Sequence, residues 1–208
     1  MSYNIVMYRN SYVEVELDKL KHNIQYFQNK SGKKMIGVLK ANGYGMVDYV
    51  EAGVLLEQGV DFFAVSSLDE ALKLRKHDIP GQILILGYVP PEAMDIVREN
   101  DCSIVTVSMD YLSSCDLKGV KVHLKLDTGM NRIGVKPAQA KEALDLLKEK
   151  GSLVEGVMSH LSSSDVDKEY TEKQYEIFRN TVKNLILTER LHLAHLLRTQ
   201  MICGSRIC

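Results

Sequence analysis

Three segments of this 208-residue chain carry side chains that could do chemistry, and the first contains Lys40. Lys40 follows a short apolar run and precedes two glycines in the stretch VLKANGYG, residues 38–45. A lysine that ends a buried strand is partly removed from water, which lowers the pKa of its amine. Such an amine can form a Schiff base with an aldehyde cofactor. The alternative is a solvated strand-end lysine beside a glycine turn.

The second segment, HLKLDTGMNRIG at residues 123–134, carries two cations and an acid. Strand alternation places Lys125 and Asp127 on one face, opposite Leu124 and Leu126. An inward Lys125 is costly unless it is paired or chemically modified. Arg132 follows a glycine turn, and its planar guanidinium suits an anionic group. The alternative is a structural pair of Lys125 and Asp127 with a surface arginine.

The third segment, MSHLS, places His160 just after another apolar run. This position allows the imidazole to face a ligand, although a lone histidine also packs readily as a structural residue. The remaining histidines lack the spacing of a metal site, so we expect no bound metal. They are His22, His77, His123, His192 and His195.

Short apolar runs alternate with amphipathic runs along the chain, and this rhythm predicts an α/β fold. The predicted strands are residues 35–39, 62–65, 83–86, 103–107, 120–126 and 153–158. The predicted helices between and after them are residues 46–58, 68–77, 91–98, 109–114, 137–150 and 168–183. Strands joined through helices form parallel sheets, because parallel neighbours need crossover connections.

Two architectures fit this rhythm, an open doubly wound sheet and a closed (β/α)₈ TIM-type barrel. No G-x-G-x-x-G follows the first strand, which weakens the dinucleotide-binding version of the open sheet. The three segments with reactive side chains all follow the ends of predicted strands, which is where the active site of a barrel lies. The sequence therefore favours the barrel, and an incomplete one, because about six of eight units are visible.

The two ends of the chain differ from the middle. Alternating residues 13–17 predict an edge strand, and Asp18 is expected to cap a helix after it. From Asn184 the strand–helix rhythm stops. We therefore predict a partial barrel domain over residues 1–183 and an atypical tail over residues 184–208.

The amino-acid composition limits the classes to which the protein can belong. The chain is 45% hydrophobic and 25% charged with a net charge of −1, which indicates a globular protein and argues against nucleic acid as a partner. It lacks a membrane-length apolar run and an evident signal peptide, so the cytoplasm is the expected location. The cysteines form no C-x-x-C pair and are expected to be reduced. They are Cys102, Cys115, Cys203 and Cys208.

Together the three segments resemble the barrel domain of the alanine racemase family, the fold-type III pyridoxal-phosphate enzymes. VLKANGYG around Lys40, HLKLDTGMNRIGV around Arg132 and MSHLSSSD around His160 occur in that family's order and intervals. Supporting stretches are VEVELDKLKHNI, FFAVSSLDEALKLR, ILILGY and a T-x-x-Q-x-x-x-F pattern that begins at Thr171. The resemblance spans residues 12–178.

The resemblance implies racemisation of L- and D-alanine, which supplies D-alanine for peptidoglycan. Lys40 would carry pyridoxal 5′-phosphate and act as the base on the D-enantiomer, with Tyr44 near the cofactor. Arg132 would contact the cofactor's phenolic oxygen and the substrate carboxylate. His160 would lie against the pyridine ring. Lys125 matches a lysine that is carbamylated in several members, which would make it an anion facing Arg132.

The chain also departs from the family pattern. Met46 stands where the family usually has His, and Asn131 stands where Gly is more common. After residues 192–194 (HLA) the expected Asn-Ser pair of the phosphate site is missing. Neither Arg198 nor Arg206 can be assigned to the arginine that the family places at the pyridine nitrogen.

These departures predict a truncated chain that lacks the family's carboxyl-terminal β-domain. In the family that domain supplies the second base from the partner subunit of a homodimer, so we do not expect the same dimer here. Six strands would also leave two unpaired sheet edges, which favours self-association. The alternative functions are a non-catalytic pyridoxal-phosphate-binding barrel, an inactive truncated racemase, and an unrelated barrel enzyme.

Overall fold

Six strand–helix units follow one another within residues 13–189. The computed structural model of the chain describes residues 13–189, 200–203 and 206–207, with side chains over residues 13–185. The strands are β1 (Met35–Val38), β2 (Phe62–Val65), β3 (Gln82–Ile85), β4 (Cys102–Val105), β5 (Lys121–Lys125), β6 (Leu153–Met158), β7 (Gln200–Cys203) and β8 (Arg206–Ile207).

The helices pack outside the sheet and connect successive strands. They are α1 (Leu17–Ser31), the single turn α2 (Lys40–Tyr44), α3 (Asp48–Glu57), α4 (Leu68–Lys76), α5 (Met94–Glu99), α6 (Met109–Ser114), α7 (Ala140–Glu149) and α8 (Lys168–Glu189). Pro91 and Pro137 each begin a 3₁₀ turn before α5 and α7. Proline suits this position because its missing N–H has no partner in a first helical turn.

The strands lie in the order β6-β5-β4-β3-β2-β1-β7-β8, and all pairs except β7–β8 are parallel. This arrangement confirms the prediction of an incomplete (β/α)₈-type barrel. Strands β1 to β4 read as continuous apolar runs because both faces of the sheet are covered. The helical face carries the main core, and the inner face carries a smaller cluster of Ile36, Val38, Ala64, Leu84 and Val105.

The expected edge strand at residues 13–17 is wrong. Residues 13–16 are not in a strand, and α1 begins at Leu17 with Glu16 at its N-cap. Asp18 lies in the first turn instead of capping the helix. Val13 is 78% exposed, so the alternating apolar residues have no sheet to pack against there.

The expectation that the β1 edge is unpaired is also wrong. Strand β7, from the tail, pairs parallel to β1 with Met35 opposite Gln200 and Val38 opposite Cys203. Four residues are too few for alternation to predict a strand, whereas an open edge offers backbone hydrogen bonds to any extended segment. Helix α8 continues to Glu189, past its expected end near residue 183.

Several predictions about the tail lie outside the described residues. These include the HLA stretch at residues 192–194, His195 and Arg198. The domain division at residue 183 stays a prediction. Cys102 and Cys115 are buried free thiols, and within the described residues no helix is both long and apolar enough to cross a membrane.

Candidate active site

A pocket of about 330 Å³ opens at the carboxyl ends of the strands. It is lined by Val38, Lys40, Tyr44, Ser66, Leu86, Gly87, Tyr88, Lys125, Arg132, Ile133, Met158 and His160. All five side chains selected from the sequence are among these residues, although they come from three segments far apart in the chain. Parallel strands explain the convergence, because their carboxyl ends meet at one edge of the sheet.

Lys40 begins α2, which is a left-handed turn. The φ angles of Ala41, Asn42 and Tyr44 are 53°, 56° and 54°. A left-handed conformation costs a non-glycine residue about 1–2 kcal/mol, so other contacts must hold this turn. The half-buried Lys40 extends its Nζ to 5.6 Å from the ring centre of Tyr44.

Gly43 closes this turn at a position where only glycine fits. Its N–H donates to the carbonyl oxygen of Leu39 at 2.9 Å, and its φ is 63°. A Cβ at Gly43 would lie 2.5 Å from Oε2 of Glu51. The second glycine of VLKANGYG, Gly45, ends the turn with a φ of 93°. The glycine pattern around Lys40 therefore reflects the shape of this turn.

Helix α4 holds the turn through two side chains that the sequence analysis missed. Glu70 Oε1 accepts from the N–H of Ala41 at 2.7 Å, and Lys73 Nζ donates to Asn42 Oδ1 at 2.7 Å. Glu70 Oε2 accepts from both the N–H and the hydroxyl of Ser66 at 2.7 Å. One carboxylate thus ties the segment after β1 to the segment after β2.

A signal for Glu70 was present in the sequence. Ser67 caps α4 by accepting from the N–H of Glu70, which is the start of an S-x-x-E capping box. The pattern predicts where the helix begins and that Glu70 turns back toward its start. Its bond to Ala41 depends on how α4 packs against β1, which no local pattern contains.

Asp127 organises the loop that presents Arg132. Its Oδ1 accepts from the N–H groups of Gly129 and Asn131, and its Oδ2 forms a 2.6 Å ion pair with Lys136. Burial raises the pKa of Asp127, but the bonds from Lys136, Asn131 and Gly129 outweigh it and leave the pKa below its usual value. The carboxylate is therefore committed to the loop and to Lys136, which weighs against a structural pair of Asp127 with Lys125.

Replacing Asp127 with alanine is expected to destabilise the chain by about 2 kcal/mol, because two backbone N–H groups lose their acceptor. Thermal unfolding at pH 7 measures this loss. Asp145→Ala is the control, since that carboxylate lies on the exposed face of α7 and forms a salt bridge with Lys141 between exposed side chains. Equal melting temperatures for the two variants would show that Asp127 does not hold the loop.

Lys125 points inward and is only 4% exposed. Burial and the charge of Arg132 lower its pKa to about 8, while Asp127 acts in the opposite direction. Its backbone N–H donates to Thr106 Oγ1 at 2.8 Å, which fixes the end of β5. A buried amine that is partly neutral near pH 8 can react with electrophiles.

His160 is half-buried and neutral at neutral pH. Burial lowers the pKa of its imidazole, and the nearby charges of Lys125, Arg132 and Lys40 lower it further. A neutral imidazole can lie flat against an aromatic ring without adding a fourth cation to the pocket. This property suits the role that the family resemblance implies for His160.

Helix α8 fixes the loop that follows His160 and the loop that precedes Arg132. Gln174 is fully buried, and its side-chain oxygen accepts from the N–H of Ser162 at 2.9 Å. Tyr170 donates its hydroxyl to the carbonyl oxygen of Gly129 at 2.7 Å. The T-x-x-Q-x-x-x-F pattern noted in the sequence thus includes a structural residue, Gln174, that supports the site from behind.

Glu51 lies beneath the Lys40 turn and is 4% exposed. Its Oε2 is buried and has no hydrogen-bond partner among the residues that the structure describes. Burial, followed by repulsion from Asp48, raises the pKa of Glu51 from 4.5 to about 7. Since the unfolded chain ionises this group near pH 4.5, the folded chain loses stability as the pH rises from about 4.5 through 7, and the loss levels off above the folded pKa.

Glu51→Gln is expected to raise stability at pH 8.5 by about 2–3 kcal/mol and to have little effect at pH 4.5. Urea unfolding at the two pH values measures the difference. Glu57→Gln is the control, because Glu57 lies on the same helix with a side chain that is 60% exposed. A gain that is equal at both pH values would mean that ionisation of Glu51 is not its cause.

Comparisons of the sequence and of the structure with known proteins identify the same family. The family described as "Alanine racemase, N-terminal domain" matches residues 15–204. An alanine racemase of Staphylococcus epidermidis is 37% identical over 188 residues, which is 86% of this chain and 49% of that protein. Alanine racemase 2 of Caldanaerobacter subterraneus is 37% identical over 85% of this chain and 48% of its own length.

Solved structures agree. The alanine racemase of Bacillus anthracis with bound L-Ala-P matches with a TM-score of 0.81 and 30% sequence identity. The match covers 95% of this chain and 53% of the Bacillus anthracis chain. The Clostridium difficile alanine racemase in complex with cycloserine matches with a TM-score of 0.78 and 28% sequence identity. This match covers 89% of this chain and 52% of the Clostridium difficile chain. The chain spans about half the length of these relatives.

The family match covers most of the chain and includes Lys40, Lys125, Arg132 and His160. It also extends over the tail, where the sequence rhythm was lost. The same segments line one pocket, at the strand ends where this architecture places its ligands. The chain therefore belongs to the alanine racemase N-terminal domain family.

Proposed function

We propose that this chain binds pyridoxal 5′-phosphate at Lys40 and forms the cofactor-binding part of an alanine racemase. The observation that carries the proposal is the convergence of Lys40, Tyr44, Lys125, Arg132 and His160 on one pocket. The names of the relatives support alanine as the substrate. A cytoplasmic location and supply of D-alanine for peptidoglycan are part of the proposal and rest on composition and resemblance.

The described side chains fit the reactive part of the cofactor. Lys40 offers a primary amine at the pocket, and the neutral imidazole of His160 offers a flat face for a pyridine ring. Arg132 offers a guanidinium for a phenolic oxygen and for the carboxylate of an amino acid. The residues expected for the phosphate, after residue 192, lie outside the described part of the chain.

The side chains divide the work of racemisation. When bound, the cofactor stabilises negative charge on the α-carbon of the amino acid. Arg132 holds the substrate carboxylate and so fixes which face of the α-carbon Lys40 meets. Lys40 removes a proton from that face or returns one to it, and the same amine anchors the cofactor between turnovers. A second acid–base group must serve the opposite face, and the family resemblance places it on a partner subunit.

The proposal is tested by covalent trapping. The chain is incubated with pyridoxal 5′-phosphate, reduced with borohydride and mapped by peptide mass spectrometry. A single pyridoxyl adduct on Lys40 is the expected result. Adducts scattered over surface lysines, or no adduct, would refute the proposed binding. Formation of D-alanine from L-alanine then distinguishes a racemase from a cofactor-binding barrel without activity.

A further inference from the structure

The turn that follows Lys40 needs support, and Glu70 supplies it from a different element. We propose that Glu70 is a positioning residue for Lys40, which holds the left-handed turn so that the amine faces the pocket. This inference rests on the proposed function, because it concerns the reaction of Lys40 with the cofactor aldehyde. Glu70 itself does not line the pocket and therefore acts through the turn.

Glu70 supports the left-handed turn through one hydrogen bond, at the N–H of Ala41. Ala41 has a φ of 53°, which an alanine rarely adopts, and its N–H is the first donor after Lys40. Glu70 Oε1 accepts this bond at 2.7 Å, while Oε2 is fixed by the N–H and hydroxyl of Ser66. The carboxylate is thus anchored at one oxygen and holds the turn with the other.

The charge of Glu70 contributes to these bonds. Burial raises the pKa of the carboxyl group, but the bonds from Ser66, Ala41 and Ser67 lower it more, so the pKa lies below its usual value. The group is therefore ionised at neutral pH. Hydrogen bonds to an ionised acceptor are stronger than those between neutral groups, which suits a contact that opposes backbone strain.

Lys73 makes the second contact, one turn further along α4. It donates to Asn42 Oδ1 at 2.7 Å and pairs with the buried carboxylate of Asp48 at 2.8 Å. Removing Lys73 would leave Asp48 buried and unpaired, so its loss would report mainly on folding. Glu70 is therefore the residue on which the inference can be tested cleanly.

The experiment compares the rate of pyridoxyl adduct formation on Lys40 in the full chain and in two variants. Glu70→Gln keeps the shape but removes the second acceptor, and Glu70→Asp keeps the charge but shortens the reach. We expect the Lys40 rate to fall by about tenfold in both variants, because small misplacements of a reacting group are costly. Asp69→Asn is the matched control, since it removes the same charge from an exposed position in the same helical turn.

A rescue variant separates positioning from a general structural role. Ala41→Gly lets the turn adopt its positive φ without strain, so it should restore most of the Lys40 rate in the Glu70→Gln background. A Glu70 that merely joins α4 to β2 would not be rescued by a change beside Lys40. Each variant is also melted thermally to show that it is folded at the labelling temperature.

Three results would overturn the inference. They are wild-type Lys40 rates in both Glu70 variants, a loss that Ala41→Gly does not restore, and loss of the cooperative melt in the Glu70 variants. Failure of the proposed function looks different, because the unaltered chain itself would then give no selective adduct on Lys40.

Discussion

Lys40→Ala is expected to abolish the selective pyridoxyl adduct, with the remaining label spread over surface lysines at background level. An imine with the cofactor aldehyde forms only on a primary amine, and Lys40 offers one beside the ring of His160 and the guanidinium of Arg132. Peptide mapping after borohydride reduction measures the loss. The expected effect is complete, because the substitution removes the nitrogen atom that forms the adduct.

Two controls make the Lys40 result specific. Lys40→Arg keeps a positive charge in the pocket but cannot form the adduct, so it separates covalent binding from electrostatic attraction of the phosphate. Lys30→Ala removes an exposed lysine of α1 and should leave the adduct unchanged. A selective adduct that persists in Lys40→Ala and maps to Lys125 would show that the wrong amine has been assigned.

Strands β1 to β4 were predictable because nearly all of their residues are buried on both faces of the sheet. Continuous apolar runs such as residues 62–65 and 83–86 arise only where neither face meets water, and six of them with helices between require a parallel sheet. Residues 13–17 show the limit of this reasoning. Their alternation is local, whereas pairing depends on a partner strand that the sequence does not specify. The same limit hid β7, whose four residues depend on the open edge of β1.

The residues that line the pocket were predictable from the sequence, but the contacts that hold them in position were not. Lys40, Arg132 and His160 follow strand ends, and strand ends meet in space, so their proximity follows from the fold class alone. The left-handed turn after Lys40 does not follow from it, because alanine and asparagine have no strong preference for that conformation. Glu70 holds the turn from 29 residues away. Contacts of this kind arise from packing and carry no local signature.

The buried cation Lys125 leads to a second prediction of large effect, namely that dissolved carbon dioxide stabilises the chain. The neutral amine of Lys125 would attack carbon dioxide to form a carbamate, with release of one proton. Its pKa of about 8 leaves a reactive neutral fraction at pH 7 to 8. The product is an anion beside Arg132, whereas the ammonium is a buried cation that faces the exposed guanidinium of Arg132. Replacing the repulsion between Lys125 and Arg132 with attraction is expected to raise the free energy of unfolding by roughly 3–5 kcal/mol.

The measurement is thermal unfolding at pH 7.5 in carbon dioxide-free buffer and in bicarbonate, together with intact mass under native conditions. We expect bicarbonate to raise the melting temperature and to add the mass of one carbon dioxide. Lys125→Met should melt higher than the unaltered chain in carbon dioxide-free buffer and should not respond to bicarbonate. Lys121→Met is the control, because Lys121 lies on the same strand but pairs with Asp101 at 2.5 Å.

The pH dependence distinguishes a carbamate from a bare amine. Without carbon dioxide, the unfolded chain binds a proton at Lys125 up to about pH 10.5 and the folded chain only up to about pH 8. Stability should therefore rise with pH across this interval, since the unfolded state holds more protons. A carbamate holds no proton at Lys125 either, whereas the lysine of the unfolded chain still binds one, so in bicarbonate the rise in stability should begin below pH 8. If the rise still begins near pH 8 in bicarbonate and no mass is added, Lys125 is an unmodified amine, and Arg132 must be oriented by other groups.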